Sequence, residues 1–495
     1  MTKTLRARRA IAPVLGLLLS TGFAAMAVAD PVLPRFASGE LVQAVAATPV
    51  GGGLLLDGIK VAGTDETTAF VLERFEVFTS DAVIIVHGAE GETRYPAPRN
   101  AYFRGAVDGE PGSRVVLSVY EDGTAQGIVT RAEGFSMIGG EDREEAKAPR
   151  GAPLVLHEVD PVSLQTASSG FTCGNDTLPA VSDPLAALAP PIPQAPDAFV
   201  PGAVGPEKAS VYTARVAIET DFEYYSLFGN TTLATNYAAN LLAHASTVYS
   251  AEINTALTIP SISLWTTSGD PWGQSGSTVC GLMEFGRYWN RNNGSVSRTI
   301  SHFLSGKGLG GGVAWVGVLC SGSFSFSTSC PGLATDAPWG GGYGFTANIS
   351  GAFNIASPTI IWDIVAVSHE IGHNFNSPHT HCYNGIGGDP NPVDQCYNGE
   401  CANGCYCGAQ TTPGPQGQRS GTIMSYCHLR SGGFSNISLN FGTGHSFGVQ
   451  PGRVATRMST HVVDRASAFP GCLTSPVLPG IFEDGFENGT AGLWQ

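Results

Sequence analysis

Three histidines and one glutamate lie close together in the stretch VSHEIGHNFNSPHTH, which runs from Val367 to His381. His369 and His373 are four residues apart, so on a helix both imidazoles project from one face and reach a single metal ion. Three neutral imidazoles plus one water form the open arrangement of a catalytic zinc site, as distinct from a closed structural one. Glu370, beside the first histidine, is placed to accept a proton from that water.

The third histidine of the motif cannot lie on the same helix. His379 follows His373 by six residues and Pro378 opposes continued helix, so the chain must turn sharply to bring His379 back. Asn376 stands at the turn, and asparagine tolerates a left-handed backbone conformation better than any residue except glycine. The spacing therefore predicts that His369, His373 and His379 bind zinc. A surface helix that carries histidines by chance is the alternative, and the third histidine argues against it.

A methionine in a turn-like segment follows downstream. Met424 lies in the short stretch from Gly421 to Cys427, although most methionines only fill a hydrophobic core. Together with the zinc motif it resembles the methionine turn of the metzincins. Tyr426 matches a tyrosine that ligates zinc and then stabilises the oxyanion in astacins and serralysins. Whether Tyr426 does so here or only packs stays open.

The N-terminus and the charge bear on where the chain works. An apolar run from Ile11 to Val28 follows four basic residues, and Ala27-Val-Ala29 has the pattern of a signal-peptidase site. The basic residues are Lys3, Arg6, Arg8 and Arg9. Residues 1–29 are thus predicted to be a signal peptide of a secreted protein; a membrane anchor is the alternative, but the run is short and interrupted. The formal net charge of -15 argues against nucleic acid and anionic membranes as partners.

Ten of the eleven cysteines lie in the C-terminal part of the chain. They are Cys280, Cys320, Cys330, Cys382, Cys396, Cys401, Cys405, Cys407, Cys427 and Cys472. Ten cysteines suffice for five disulfides in an exported chain, but their pairing is not readable from the sequence. Cys173 is left without a partner. It is followed by glycine and resembles the cysteine switch of metzincin proforms, in which a thiolate takes the place of water on zinc. A disulfide with a later cysteine and an idle thiol are the alternatives.

Composition divides the chain before the zinc motif into two segments. Residues 30–183 are predicted to be a β-rich prodomain, because Phe70 to Phe78 and Ala82 to His87 are β-prone and Arg114 to Thr130 has the pattern of a hairpin. Residues 184–208 are rich in proline and poor in charge, which is typical of an exposed linker. We expect the activation cleavage in this linker.

The later part has an α/β pattern and is predicted to be the catalytic domain, residues 209–472. Its predicted elements are a strand from Val211 to Glu219, a helix from Thr232 to Ile253, a strand from Leu257 to Trp265 and the zinc helix from Ser357 to Phe375. Ser357 and Pro358 suit the cap and first turn of that helix. Residues 473–495 form a C-terminal tail whose role the sequence leaves open.

Two further stretches resemble the adamalysin (reprolysin) proteases. The run Tyr102 to Leu117 resembles their prodomain, and Ser301 to Cys320 resembles the segment leading to the edge strand above their active-site cleft. The resemblance covers most of residues 100–472. It implies a metzincin catalytic domain of the α/β (α+β) class, with a mixed twisted sheet and a zinc-site helix behind the β-rich prodomain. By the same resemblance, Gly312 to Val318 would pair with an extended substrate.

The resemblance also implies roles for single residues. His369, His373 and His379 would be the zinc ligands, Glu370 the general base and Met424 the turn residue. One departure is Thr380, where adamalysins have aspartate. Tandem glycine-rich repeats of the serralysin type are absent from the sequence.

Together these features predict a secreted, zinc-dependent endopeptidase made as a self-inhibited zymogen. Its partner would be a protein or peptide substrate, with no nucleic acid and no stable membrane insertion, and its oligomeric state stays open. A catalytically weak zinc-fold binding or adhesion protein is the alternative, against which Glu370 and Cys173 argue. Asp389, Asn391 and Asp394 would suit calcium, but a single acidic loop is poor evidence for it.

Overall fold

The described part of the chain has seventeen strands and seven helices, a mixed α/β composition as predicted. The computed structural model describes residues 33–142, 147–165, 171–178, 212–325, 330–333 and 338–474. The strands are β1 (Arg35–Ala37), β2 (Gly53–Val61), β3 (Thr67–Phe75), β4 (Phe78–Gly88), β5 (Gly91–Pro96), β6 (Ala101–Val107), β7 (Glu110–Val119), β8 (Ala125–Thr130), β9 (Phe135–Gly139), β10 (Val155–Glu158), β11 (Thr172–Cys173), β12 (Tyr212–Thr220), β13 (Thr255–Trp265), β14 (Ile300–Leu304), β15 (Gly311–Ala314), β16 (Tyr343–Thr346) and β17 (Leu473–Thr474). The helices are α1 (Leu41–Ala47), α2 (Pro161–Gln165), α3 (Phe222–Ser226), α4 (Thr231–Ile253), α5 (Thr278–Asn292), α6 (Ile360–Asn374) and α7 (Arg453–Ala468).

Three sequence predictions lie outside the described residues. They are the signal peptide (1–29), the proline-rich linker (184–208) and, from residue 475 onward, the C-terminal tail.

The first sheet belongs to the N-terminal part and closes on itself. Its order is β1-β2-β10-β9-β8-β7-β6-β3, and β2 also pairs with β3. The predicted hairpin is confirmed as β7 and β8, which pair antiparallel from Arg114 opposite Thr130 to Val119 opposite Ala125. Gly123 in its turn has φ +84°, a left-handed conformation that glycine adopts without steric cost.

The second sheet carries the catalytic region and also takes three strands, β4, β5 and β11, from the N-terminal part. Its order is β11-β15-β16-β14-β12-β13-β4-β5, with β17 paired to β12. Strand β4 runs parallel to β13, from Val83 opposite Ser261 to His87 opposite Trp265. The domain bounds stay a prediction, but the hairpin β4–β5 lies in the second sheet and not in the first.

One hydrophobic core accordingly receives side chains from both parts of the chain. Its N-terminal members include Ile84, Val86, Val116, Ile128 and Met137, and its later members include Ile218, Leu242, Val248, Ile262 and Ile364. Helix α4 runs through this core and is buried over almost its whole length, with exposed residues only near its two ends. Asn230 caps its first turn by accepting from Leu233 N. Polar links reinforce the contact: the Asn240 side chain bonds to Ser118 and Tyr120.

The helix that carries the histidine motif is shorter at its start than predicted. Helix α6 begins at Ile360 after Thr359, so Ser357 and Pro358 lie in the preceding turn and do not cap it. Every residue of α6 is buried, since the helix packs on α4 and on strands β15 and β16.

The predicted edge strand is also shorter than expected. Strand β15 ends at Ala314 rather than Val318. Beyond it the chain turns, and the amides of Gly317 and Val318 bond to the carbonyls of His373 and Asn374 at the end of α6. These residues therefore cap the motif helix instead of extending the sheet edge.

Five disulfides are present, as the ten C-terminal cysteines predict. They join Cys280 to Cys330, Cys320 to Cys472, Cys382 to Cys405, Cys396 to Cys427 and Cys401 to Cys407. Cys173 is buried and unpaired. Among the described residues, no helix combines the length and apolarity needed to cross a membrane.

Candidate metal centre

The three motif histidines converge on one point. Nε2 of His369 lies 3.1 Å from Nε2 of His373, and Cys173 Sγ lies 3.4 Å from the latter. One ligand atom from each of these residues and one from His379 all lie within 4.8 Å of one another, and all four residues are buried. This donor set of three imidazole nitrogens and one sulfur suits Zn²⁺.

Each ring is oriented by the nitrogen that faces away from this point. Nδ1 of His369 donates to the Ile423 carbonyl at 2.7 Å, and Nδ1 of His373 donates to the Ser377 carbonyl at 2.7 Å. Because a carbonyl only accepts, both Nδ1 atoms carry the proton and both Nε2 atoms present a lone pair to the centre. Burial lowers the pKa of His373 to about 3, so its ring is neutral, as a metal ligand requires.

Buried polar atoms without a hydrogen-bond partner also indicate that the site is built for a metal ion. His379 Nε2 and Glu370 Oε1 have no hydrogen-bond partner within the described part of the chain. A buried polar atom without a partner is costly. A cation at the point of convergence would satisfy the imidazole nitrogen, and a water beside it would satisfy the carboxylate.

The chain returns His379 to the site through a turn at Asn376, as the spacing predicts. Asn376 has φ +76°, a left-handed conformation. Arg457 on helix α7 holds this turn, with Nε 2.5 Å from the Asn376 carbonyl oxygen and Nη2 2.9 Å from its side-chain oxygen. A glycine would offer the same backbone freedom but no side-chain oxygen, so this contact gives asparagine a structural role.

Met424 packs against helix α6 at Gly372, beside His373 in the sequence, and is fully buried. A Cβ at Gly372 on helix α6 would stand 2.5 Å from the Met424 sulfur, so that glycine leaves the space the methionine fills. The Met424 carbonyl accepts from Thr380 N at 3.0 Å and from its hydroxyl at 3.1 Å. Thr380, found where adamalysins have aspartate, thus ties the methionine segment to the residue after His379.

Glu370 faces the same point from helix α6. It is fully buried, and its Oε2 lies 3.5 Å from Cys173 Sγ. Burial raises the pKa of Glu370 well above its ordinary range. Gly312 of the edge strand packs directly on this carboxylate, since a Cβ there would overlap Oε1.

A segment of the N-terminal part closes the site. Thr172 and Cys173 form β11, which runs parallel to Gly311 and Gly312 of β15. Asn175 extends this contact by accepting from Ala314 N at 2.9 Å. Burial and the nearby Glu370 raise the pKa of the Cys173 thiol. A cation at the centre would act in the opposite direction, because metal coordination deprotonates a thiol.

The Tyr426 hydroxyl binds the main chain of Cys173. Its oxygen accepts from Cys173 N at 2.7 Å and donates to Cys173 O at 3.2 Å. Burial raises the pKa of Tyr426 well above its ordinary range, so the hydroxyl keeps its proton. Its ring centroid lies 4.5 Å from that of His379. The tyrosine therefore borders the site while binding the main chain of the closing segment.

Trp362 and His428, which the sequence does not single out, contact Phe171 at the start of the segment that closes the site. Phe171 packs edge-on against Trp362, with ring centroids 4.8 Å apart, and its carbonyl accepts from His428 Nε2 at 3.2 Å. Trp362 lies on α6 two turns before His369. A tryptophan at that spacing signals only a buried face in the sequence, so nothing there distinguishes it as part of the site.

Glu400 is a residue of the site that the sequence does not single out. Its Oε1 lies 2.6 Å from His379 Nδ1, and the residue is only 6% exposed. Its setting among cysteines and glycines gives no periodic signal, so the sequence does not indicate which way its side chain faces.

The predicted calcium site finds no support. Asp389 bonds to Asn391 of its own turn, and Asp394 accepts from Cys396 N at 3.0 Å. These carboxylates hold their loop together, and within the described residues Asp389 belongs to no group that could hold a metal.

Three imidazoles with a carboxylate beside them, built on a helix of a mixed α/β fold, suit the site of a metallopeptidase. Residues 210–436 match the family described as "Reprolysin_5: Metallo-peptidase family M12". This match spans less than half of the chain, and members of the matched family use zinc. It supports the conclusion that the protein is a metalloprotease of metzincin-like type. The predicted relation to adamalysins (reprolysins) is confirmed.

Two solved structures resemble the chain at low sequence identity. No protein of curated function matches the sequence. The crystal structure of metalloproteinase-II from Bacteroides fragilis resembles the chain at 10% identity, over 73% of this chain and 93% of that chain, with a TM-score of 0.34. A structure of a chaperone–substrate complex resembles it at 14% identity, over 35% of this chain and 26% of that chain, with a TM-score of 0.25. At these TM-scores neither likeness bears on the function of this chain.

Proposed function

We propose that the protein is a secreted zinc endopeptidase made as a self-inhibited zymogen. The observation that carries the proposal is the convergence of His369, His373 and His379 on one buried point, with Glu370 beside it and Cys173 over it. A site that served only to stabilise the fold would need a fourth permanent ligand and no carboxylate facing it. A zinc-fold binding protein, the alternative reading, leaves the placement of Glu370 without a purpose.

In the proposed reaction the chain supplies the proton transfers and the orientation. Bound zinc would supply a Lewis acid that acidifies water and polarises the scissile carbonyl. Glu370 takes a proton from the attacking water and passes it to the leaving amine nitrogen. Tyr426, once free of Cys173, donates a hydrogen bond to the oxyanion that develops. Met424 and the turn at Asn376 hold the three imidazoles in place.

Latency in this proposal comes from the segment around Cys173. The sulfur takes the position that a water would need, and β11 occupies the edge strand along which an extended substrate would pair. Activation then requires a cut in residues 184–208 and the departure of the segment. An inhibitor of this kind has a use in a protease and none in a binding module.

Export is supported by the sequence pattern of residues 1–29 and by the chemistry of the cysteines. Five disulfides join all ten C-terminal cysteines. Such density is typical of oxidising compartments. We therefore place the enzyme outside the cytoplasm, where protein or peptide substrates are met.

The test compares processed wild type with Glu370→Gln and His369→Ala in casein hydrolysis, with zinc content measured on all three. We expect Glu370→Gln to keep its zinc and to lose about 10²- to 10⁴-fold in rate, the usual contribution of a general acid-base. His369→Ala should lose the metal as well. A wild type that holds zinc but cleaves nothing, or a Glu370→Gln variant as active as wild type, would contradict the proposal.

A further inference from the structure

Glu400 stands apart from the other groups that support the site because it is charged. Nδ1 of His369 and Nδ1 of His373 donate to carbonyl oxygens, whereas Nδ1 of His379 donates to the Glu400 carboxylate at 2.6 Å. Both members of this last pair are buried, with side chains 2% and 7% exposed. The third histidine thus has a different kind of partner from the two on the helix.

The position of His379 explains why it needs such a partner. His369 and His373 belong to helix α6, whose backbone sets their directions. His379 lies beyond the turn at Asn376 and has extended backbone angles, φ -61° and ψ 147°. Only packing and the bond from Nδ1 can hold its ring, so the partner of Nδ1 decides where Nε2 points.

The Glu400 carboxylate is itself held in a place that makes it costly without a cation. Oε1 lies 3.4 Å from Nε2 of the buried His381. Oε2 lies 3.1 Å from Cys382 Sγ and 3.7 Å from Cys405 Sγ. These two sulfurs form a disulfide and have no proton to donate. A buried carboxylate with so few donors is strongly unfavourable unless opposite charge lies near.

We infer that Glu400 is a positioning residue of the metal site, which orients His379 and raises the affinity of the site for zinc. The inference rests on the proposed function, because it takes zinc as the ion at the three histidines. A carboxylate that accepts the Nδ1 proton makes the imidazole a stronger donor through Nε2. A zinc ion bound at Nε2 would polarise the imidazole, and the more positive Nδ1–H would then stabilise the negative charge of the buried Glu400 carboxylate.

This role also explains the cysteine-rich segment that follows the motif. The Cys401–Cys407 disulfide begins at the residue after Glu400, and the Cys382–Cys405 disulfide packs on its carboxylate. Together they fix the chain on both sides of Glu400. This disulfide-rich segment therefore supports His379, the third predicted zinc ligand.

The test measures zinc affinity of the full chain by competition with a chromophoric chelator, for wild type, Glu400→Gln and Glu400→Asp. Gln removes the charge at constant shape, and Asp keeps the charge but withdraws it by one methylene. We expect both to bind zinc about 10- to 100-fold more weakly, the usual effect of losing such a partner. Asp394→Asn is the matched control, because Asp394 is another buried carboxylate of the same segment that caps its own loop. Its affinity should stay within a few-fold of wild type.

A second readout separates positioning from mere stability. The melting temperature of each variant is measured with and without zinc. A purely structural role for Glu400 would lower both values equally, whereas positioning lowers the increment that zinc provides. The same increment can be measured on the Asp variant if the Gln variant does not fold.

The outcomes distinguish the inference from the proposed function. Wild type that binds zinc, together with Glu400 variants of unchanged affinity and unchanged zinc increment, would overturn the role of Glu400 and leave the peptidase proposal standing. Wild type that takes up no zinc, or takes it up as well after His369→Ala, would overturn the proposed function itself.

Discussion

Tyr426 illustrates how one side chain can serve two states of the molecule. In the closed state its hydroxyl binds both main-chain groups of Cys173. The hydroxyl cannot bind Cys173 and a substrate at the same time, so its two bonds to Cys173 must break before it can contact a substrate. The sequence leaves open whether Tyr426 packs or takes part in catalysis. The structure adds a third role, since the residue holds the segment around Cys173.

Replacing Tyr426 with phenylalanine should loosen that segment. Two hydrogen bonds are lost, each contributing about 1 kcal/mol, so we expect the activity of the uncut chain, relative to the same variant after processing, to rise about 30-fold. Peptide hydrolysis by the uncut and the processed forms measures this ratio, which cancels any direct effect of the substitution on turnover.

Tyr249→Phe is the matched control for the tyrosine. It also removes one hydroxyl from a buried tyrosine, but that hydroxyl bonds to the Ser368 carbonyl, away from Cys173. Uncut Tyr249→Phe should stay as latent as wild type. Equal latency of Tyr426→Phe and wild type would contradict the prediction.

His302 in strand β14 predicts how stability depends on pH. Burial lowers its pKa from 6.5 to about 3, and its Nε2 bonds to the Thr346 hydroxyl at 2.9 Å. Between these pH values the unfolded chain binds a proton that the folded chain does not, so stability is lost as the pH falls below 6.5. The slope from this one group approaches about 1.4 kcal/mol per pH unit.

The variant His302→Gln removes that titration. Urea unfolding at several pH values between neutral and mildly acidic should show a shallower loss of stability than in wild type, whatever the variant's stability at neutral pH. Parallel curves for variant and wild type would mean that His302 does not contribute.

At the scale of elements, the edge strand β15 has two neighbouring glycines that face different partners. A Cβ at Gly311 would overlap the Thr172 carbonyl of the closing segment, whereas a Cβ at Gly312 would overlap the Glu370 carboxylate. The same small change at adjacent positions should therefore disturb inhibition in one case and catalysis in the other.

We expect Gly311→Ala to raise the activity of the uncut chain relative to the processed enzyme, because the closing segment no longer fits. Gly312→Ala should displace Glu370 and lower the rate of the processed enzyme by about 10²-fold, the scale expected for a misplaced catalytic group. Each variant is the control for the other when both forms are assayed with one peptide and their zinc content is compared. Identical effects at the two positions would refute the distinction.

The contrast between helix α6 and the hairpin β4–β5 shows what the sequence can predict. His369, Glu370 and His373 are related by one helical turn, so their common face follows from local geometry. His379 and Asn376 follow from the limits on a turn. These short-range relations are readable without knowledge of the rest of the chain.

Long-range relations were not readable in the same way. Glu400 meets His379 across 21 residues of a segment that two disulfides cross-link, and cysteine pairing cannot be derived from spacing. Strand β4 was predicted as a strand, but its alternating pattern does not say which sheet it joins. The early end of β15 also depends on a long-range contact. Gly317 and Val318 leave the sheet to bond to the end of helix α6, more than fifty residues later in the sequence.

At the scale of the whole molecule, the N-terminal part and the catalytic region share a sheet and a core. The pairing of β4 with β13, the buried Asn240 contacts and the paired Arg215 and Asp81 all cross between them. A cut in residues 184–208 would leave every one of these contacts in place. Cleavage of the linker alone should therefore not release the N-terminal part.

We predict that the two fragments stay together after a specific cleavage site placed in residues 184–208 is cut. They should co-elute in size-exclusion chromatography and separate only in denaturant. Ile84→Asp, which puts a charge into the shared core, should let them separate. Tyr95→Asp is the matched control, because Tyr95 lies in the same hairpin but is 53% exposed. Spontaneous separation of the wild-type fragments would contradict the prediction.

The pairing of strands β4 and β13 also constrains which substitutions this protein can accept during evolution. A substitution in Ile262 or Ile84 alters a surface that the other region must match, although cleavage of the chain formally divides them. Related chains should therefore show paired changes across this pairing of strands, and N-terminal parts exchanged between distant relatives should fit poorly. The part of the chain that the proposed activation would cut from the catalytic region is thus inherited as if the two were never separated.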